Sequence, residues 1–269
     1  MTSTRRDGGV VDVVGRGFLA HYLVEAFGDR YPDVTAVAAG VTKTLAASVV
    51  DFDREANLVY EVARRCRWQG RTIVFFSTSS DGMYGALDSP GHEEGPVFPT
   101  TPYGRHKLAI EAVLARCGAR WLAVRLSHVV GSGQQPHQLV PALVAQIRTG
   151  VVSVHKNVYR DLIDVRHVIA ALDRLLAREV TDQIVNIATG YPERVERVVT
   201  EIERRLGVTA RREIVDKAGA VRTVISTARL RTVLPEWDEF GFGPNYLPSL
   251  LDRYVGPVRS LDDAVVGGA

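Results

Sequence analysis

One stretch, Val10-Val11-Asp12-Val13-Val14-Gly15-Arg16-Gly17-Phe18-Leu19-Ala20, constrains this chain more than any other. A mostly apolar run ends at Gly15, after which Leu19, Tyr22, Leu23 and Phe27 recur at helical spacing. The pattern predicts strand, glycine turn, then a helix over Phe18–Phe27. Small residues in such a turn let backbone approach a pyrophosphate, and the helix start offers free N–H groups and the positive end of a dipole. A tight strand-to-helix connection without a ligand uses the same residues. The acidic residue that would hold an adenosine ribose is not identifiable over 32–44. Arg16 is either a contact for a 2′-phosphate, a slight lean toward NADP over NAD, or one more surface arginine among 29.

The same alternation continues along the chain. An apolar run over 34–40 precedes a helix over 57–66 with Val59, Val62 and Ala63 inward, and 72–77 reads as a fully buried strand. Residues 81–102 carry four glycines and four prolines and read as loop. Helices are expected over 103–117, 139–148, 164–178 and 193–206, with strands over 121–126 and 184–187. Strands and helices alternating at this spacing imply an α/β chain, a Rossmann-like doubly wound parallel sheet covered on both faces. The expected organisation is a dinucleotide-binding core over 8–130, a segment over 131–258 that completes the sheet and forms a small substrate lobe, and a loose tail over 259–269.

Charge and composition narrow the function classes. Net charge +2, from 33 basic against 31 acidic residues, leaves no cationic excess for a phosphate polyanion, so nucleic acid is not an expected partner. No apolar run reaches the roughly 18–20 residues of a membrane span, and the first nine residues lack the apolar core of a signal peptide. A cytoplasmic protein is expected. Cys66 and Cys117 form no CxxC pattern and the seven histidines no HxH or HxxxH pair, so neither a disulfide framework nor a metal site is expected.

Tyr103 and Lys107 stand at i and i+4 near the start of a helix, so both side chains emerge on one face. A phenol titrates near pH 10, too high for acid–base work at neutrality, and an adjacent ammonium draws it toward the working range. In a chain with four lysines among its 33 cations, a lysine at this position is informative. Ser80 follows the buried strand at the end where ligands gather in an open parallel sheet, and its hydroxyl can hydrogen-bond a carbonyl or alcohol oxygen.

Taken together these residues resemble the extended short-chain dehydrogenase/reductase family of nucleotide-sugar epimerases, dehydratases and ketoreductases. The resemblance runs from about Val10 to Tyr254. It is carried by the glycine turn, Ala38-Ala39-Gly40, Ser77-Thr78-Ser79-Ser80-Asp81-Gly82-Met83-Tyr84-Gly85, Pro102-Tyr103-Gly104-Arg105-His106-Lys107, Arg125-Leu126-Ser127-His128-Val129-Val130-Gly131, Arg160-Asp161-Leu162-Ile163-Asp164-Val165 and Asn186-Ile187-Ala188-Thr189-Gly190. It implies Ser80, Tyr103 and Lys107 as catalytic residues, with Tyr103 moving the proton, Ser80 holding the reacting oxygen and Lys107 tuning Tyr103 while binding the nicotinamide ribose. It implies a cofactor held by Gly15, Arg16, Gly17, Phe18, Leu19, Ala39, Gly40, Tyr103 and Lys107. Substrate contacts would come from Ser80, Asp81, His128 and Arg160, the last gripping a sugar nucleotide's diphosphate or else pairing with Asp161.

The departures from that pattern carry information. Dehydratases of the family follow the catalytic hydroxyl with Asp-Glu, whereas Ser80 is followed by Asp81 and Gly82, which disfavours dehydration. His128 stands where asparagine is common, and the asparagine usual before the serine strand has no secure counterpart, Asn57 lying about three residues late. The interval Gly15 to Ala38 is short enough that one strand and one helix of the usual cofactor half are expected to be missing. The leading expectation is NAD(P)H-dependent reduction of a keto group on a nucleotide-linked deoxysugar by a homodimer. The alternatives are a nucleotide-sugar 4-epimerase with the same triad and a non-catalytic nucleotide sensor on the same fold.

Overall fold

The computed structural model describes residues 10–41, 47–85, 90–215 and 222–256; the first nine residues and the expected tail lie outside them. In chain order the elements are β1 (Asp12–Val14), α1 (Phe18–Phe27), β2 (Val34–Val37), α2 (Val49–Gln69), β3 (Thr72–Thr78), α3 (Asp81–Tyr84), α4 (Pro102–Leu114), β4 (Arg120–Leu126) and β5 (His128–Val130). There follow α5 (Leu139–Arg148), β6 (Val151–His155), β7 (Tyr159–Arg160), β8 (Leu162–Asp164), α6 (Val165–Ala177), β9 (Gln183–Ile187), β10 (Glu193–Arg194) and α7 (Val195–Leu206). Strand β11 (Arg211–Val215), α8 (Ala228–Val233), a 3-10 turn (Pro235–Phe240) and α9 (Tyr246–Tyr254) complete them.

Five parallel strands form the main sheet in the order β1-β2-β3-β4-β9. Strand β3 is buried along its whole length, and its side chains alternate between two cores. Val74 and Phe76 face a cluster with Leu23 and Phe27 of α1 and Leu172 and Leu175 of α6. Ile73 and Phe75 face Val59 and Val62 of α2 and Ile110 and Leu114 of α4. Helices therefore cover both faces, as the alternation predicts.

Between Gly15 and Ala38 the chain has only α1 and β2, so the shortening expected from the spacing is present in the fold. It leaves β1 at the sheet edge, three residues long. Asp12 there is occupied by the Arg65 guanidinium and the Thr35 hydroxyl, a charged end of the kind that discourages strand addition.

The shortening has a topological consequence. The units β1-α1-β2 and β2-α2-β3 advance in the same direction across the sheet, yet α1 and α2 lie on opposite faces. Two such crossovers have opposite hands, so one of them is the left-handed form that about 2% of such units adopt. The chain thus leaves neighbouring strands β1 and β2 toward opposite faces, which opens a crevice at their carboxyl ends despite the monotonic strand order.

A separate core unites α5, α7 and α9 with β6, through Leu143, Ile147, Val152, Val154, Val198, Ile202, Leu247 and Leu251. Three separate two-stranded pairs lie outside the main sheet: β5-β8 and β6-β11, both parallel, and antiparallel β7-β10. Two expectations about elements need correction. Residues 81–102 are not all loop, because α3 forms one helical turn immediately after β3, and α2 begins eight residues before the expected start, where Ser48 and Asp51 form a capping box.

Candidate active site

Strand register brings most of the candidate residues to one edge. Val14 pairs with Val37, Thr78 with Leu126 and Leu126 with Ile187, so Gly15, Ala38, Ser79, Ser127 and Ala188 all begin at the carboxyl edge of the sheet. The edge is stitched by Ala38 N–H to Val14 O, Ser79 N–H to Leu126 O and Ser127 N–H to Ile187 O.

Helix α4 starts where Thr101 caps it, its hydroxyl accepting from Gly104 N–H, and Pro102 occupies the first turn. Its buried face is Gly104, Lys107, Ile110, Glu111 and Leu114, at helical spacing. Two of those five, Lys107 and Glu111, carry ionisable side chains. Glu111 receives the Arg125 guanidinium in a fork, with Nε at 3.0 Å and Nη2 at 2.7 Å, and both side chains are fully enclosed. Arg125 also donates to the Tyr84 hydroxyl, which donates to Asn186 Oδ1, fastening α3 to β4 and β9.

Gly82 and Gly104 let α3 lie against the first turn of α4, because a Cβ on Gly104 would stand 1.8 Å from Gly82 O. A Cβ on Gly82 would meet Thr101 Oγ1 at 3.1 Å and Ser80 Oγ at 3.2 Å, so the Ser80 hydroxyl lies beside the cap of α4. Ser80 Oγ accepts from Gly82 N–H at 3.2 Å and from the Thr78 hydroxyl at 3.1 Å, while Thr78 Oγ1 accepts from Ser80 N–H. With both acceptor positions used by its own loop, the Ser80 hydroxyl keeps its proton to give to an external oxygen.

Lys107 is 2% exposed, and its Nζ lies 5.6 Å from the centre of the Tyr103 ring and 4.7 Å from that of Phe75. Nζ donates to Glu55 Oε1 at 2.6 Å and to Phe76 O at 3.2 Å. Glu55, equally buried on α2, also accepts from Val41 N–H at 2.9 Å and lies 3.1 Å from His106 Nε2. Burial alone would raise the Glu55 carboxyl, but the hydrogen bond from His106, the ammonium and the Val41 N–H hold it down at about 2. Tyr103 is pushed above its ordinary value, contrary to the expectation that Lys107 would bring it down, because burial outweighs the ammonium and Glu55 adds to the rise.

Sequence reading missed Glu55. It lies one turn before Val59 on the inward stripe of α2, so a carboxylate on a buried helical face was the available signal. Asn57, the insecure counterpart of the asparagine usual before the serine strand, is exposed.

At the glycine turn, Gly15 has φ +138° and a Cβ there would lie 2.5 Å from Ala38 O, so the turn requires glycine. Gly17 caps α1 with no side-chain bond and no acidic residue follows in the first turn, which leaves the helix start to an anion. These features fit a dinucleotide pyrophosphate. Arg16 and Gly17 are exposed, Leu19 packs on the core, and Phe18 reaches the Gly131 backbone. Ala39 and Gly40 follow β2, and a Cβ on Gly40 would stand 2.6 Å from Glu55 Oε1 and 2.9 Å from Lys107 Nζ.

His128 opens β5, its N–H bonded to Asp161 O. Arg160 on β7 donates from Nη1 to Tyr159 O, while the buried Asp161 carboxylate accepts from Thr189 and Gly190 N–H. Burial pushes the Asp161 carboxyl up. Asp161 therefore ties β7 to the end of β9 through backbone. Asp81 opens α3, and its side chain lies outside the described part of the chain. A cavity of about 270 Å³ between the Gly131–Gln134 loop, α5 and Tyr254 contains none of the candidate residues.

Residues 20–188 match the NAD dependent epimerase/dehydratase family. The chain is 27% identical over 146 residues to the GDP-6-deoxy-D-mannose reductase of Pseudomonas aeruginosa, a match over 49% of this chain and about half the length, 48%, of that relative. The fold is similar to that of RMD from Pseudomonas aeruginosa complexed with NADPH, with TM-score 0.73 and 21% identity over 91% of this chain and 98% of the other. It is also similar to MoeE5 in complex with UDP-glucose and NAD, with TM-score 0.77 and 21% identity over 92% and 97% of the two chains.

Proposed function

The chain belongs to the NAD dependent epimerase/dehydratase family, and on that premise we propose that it reduces a keto group on a nucleotide-linked deoxysugar with NADPH or NADH. The observation that carries this reading is the Gly82–Gly104 contact, which sets the hydroxyl of Ser80 beside the helix turn bearing Tyr103.

A bound nicotinamide dinucleotide would supply the hydride that reaches the carbonyl carbon. Gly15, the start of α1 and Ala39-Gly40 would hold its pyrophosphate end, and Lys107, with two N–H groups taken by Glu55 and Phe76, would give its third to the ribose. Arg16, exposed at the turn, supports a preference for a 2′-phosphate. The Ser80 hydroxyl donates to the carbonyl oxygen and fixes it. Tyr103 gives its proton to the same oxygen as negative charge develops there, and the phenolate left behind faces the Lys107 ammonium until water returns the proton. A tyrosine held above its ordinary value keeps that proton at neutral pH, which suits a donor. Arg160 would clamp the diphosphate, and the segment beyond Gly131 would form the sugar lobe. Gly82 stands where dehydratases of the family carry the glutamate of Asp-Glu, which disfavours dehydration. The protein would act in the cytoplasm as a homodimer.

The 27% identity to a reductase favours reduction over 4-epimerisation. The test is stoichiometric: GDP- and UDP-linked deoxy keto-sugars are offered with NADPH or NADH. One reduced cofactor consumed per sugar supports the reading, and turnover with no net change in cofactor contradicts it.

A further inference from the structure

An ammonium enclosed as Lys107 is, 2% exposed, needs a counter-charge to remain an ammonium. The groups facing it are few. From β3 come the Phe76 carbonyl at 3.2 Å and the Phe75 ring, from α4 the Tyr103 ring, and from the end of β2 the bare backbone of Gly40. Among the described residues the one carboxylate in contact is Glu55 on α2, at 2.6 Å. Glu111, one turn further along α4, is committed to Arg125 and Ser77. Glu55 is itself held from two sides, by Val41 N–H and by His106, whose ring rests on Phe52. Gly40 completes the arrangement, since any side chain there would enter the space of the Glu55 and Lys107 contact.

We infer that Glu55 is a positioning residue: as the buried counter-ion of Lys107 it keeps that side chain charged and fixed beneath Gly40, where a cofactor ribose would meet it. The inference rests on the reading of Lys107 as the ribose-holding group. Val41 N–H and His106 fix the carboxylate, the carboxylate fixes the ammonium, and Glu55 and Phe76 leave one ammonium N–H for a further acceptor.

Only four lysines occur in the chain, so carbon-13 labelling of lysine and NMR titration resolve Lys107, with Lys107→Arg identifying its signal. In Glu55→Gln the change of Lys107 from ammonium to amine moves to lower pH by about two units or more relative to the wild type. Glu55→Asp, which keeps the charge, restores it toward the wild-type position. NADPH affinity, read by fluorescence, weakens in Glu55→Gln as pH rises through that same change. A Lys107 signal that titrates alike in wild type and Glu55→Gln overturns the inference, as does an affinity loss equal at every pH. If Glu55→Gln does not fold, the double variant Glu55→Gln/Lys107→Met decides: recovery of folding supports an orphaned charge as the cause, and equal instability overturns it. Failure of the wild type to bind NADPH would instead contradict the proposed function, while the lysine titration still judges Glu55.

Discussion

Gly104 lies so close to Gly82 that a methyl group on it would stand 1.8 Å from the Gly82 carbonyl oxygen. The contact joins α3, which begins one residue past Ser80, to the turn of α4 that carries Tyr103. Gly104→Ala is expected to force the two apart at a cost of about 1–3 kcal/mol in urea denaturation. Turnover falls with it, while NADPH affinity stays near wild type because Lys107 lies a turn further on. Unchanged stability and turnover would mean that the contact does not position Ser80.

Thr78 orients Ser80 by donating to its oxygen. Thr78→Val keeps the shape of the side chain and removes that donor, so the Ser80 hydroxyl is less firmly held to give its proton to an external oxygen. One hydrogen bond of about 1 kcal/mol corresponds to roughly a fivefold loss of kcat, with the cofactor KM unchanged. A wild-type kcat would dissociate Thr78 from the chemistry.

Arg160 occupies the β7-β10 pair, tied to the sheet through Asp161. Arg160→Ala is expected to raise the KM for the nucleotide sugar about tenfold or more, as loss of a charge-assisted contact of about 1.5–3 kcal/mol implies, and to change kcat less. Steady-state kinetics with an unchanged KM would contradict the proposed contact of Arg160 with a diphosphate.

Acid should unfold the chain through Glu55 and Asp164. Burial pushes both carboxyls up, but their hydrogen-bond and cationic partners prevail, so both lie below the ordinary range, Glu55 at about 2. A depressed folded value means that the stabilisation is fully present above the free carboxylate's value near pH 4 and is lost as pH falls toward 2. Melting temperature is expected to decline through that window. Glu55→Gln starts lower at neutral pH and declines less steeply, and a wild-type slope in this variant would contradict the assignment.

Much of this architecture is legible in the residues, and the exceptions have physical reasons. Helices α1 and α5 match their expected bounds because their apolar stripes run from end to end. The start of α2 escapes the same reading because Val49 and Val50 are exposed, so hydrophobicity there marks no inward face, and only the Ser48–Asp51 cap signals the beginning. Tyr103 and Lys107 are legible as a pair because helical geometry fixes i and i+4. Glu55 is not, since its meaning depends on a contact with a residue 52 positions away. Strands β5 to β8 and β11 are short and pair at long range, which local pattern does not encode.

In the proposed NAD(P)H-dependent reduction Tyr103 donates the proton. The most direct test of that step is the turnover of Tyr103→Phe, with NADPH affinity measured on the same sample. Proton donation by Tyr103 implies a kcat lower by about 100-fold or more in this variant, with NADPH binding retained. Near-wild-type turnover in that variant would contradict it.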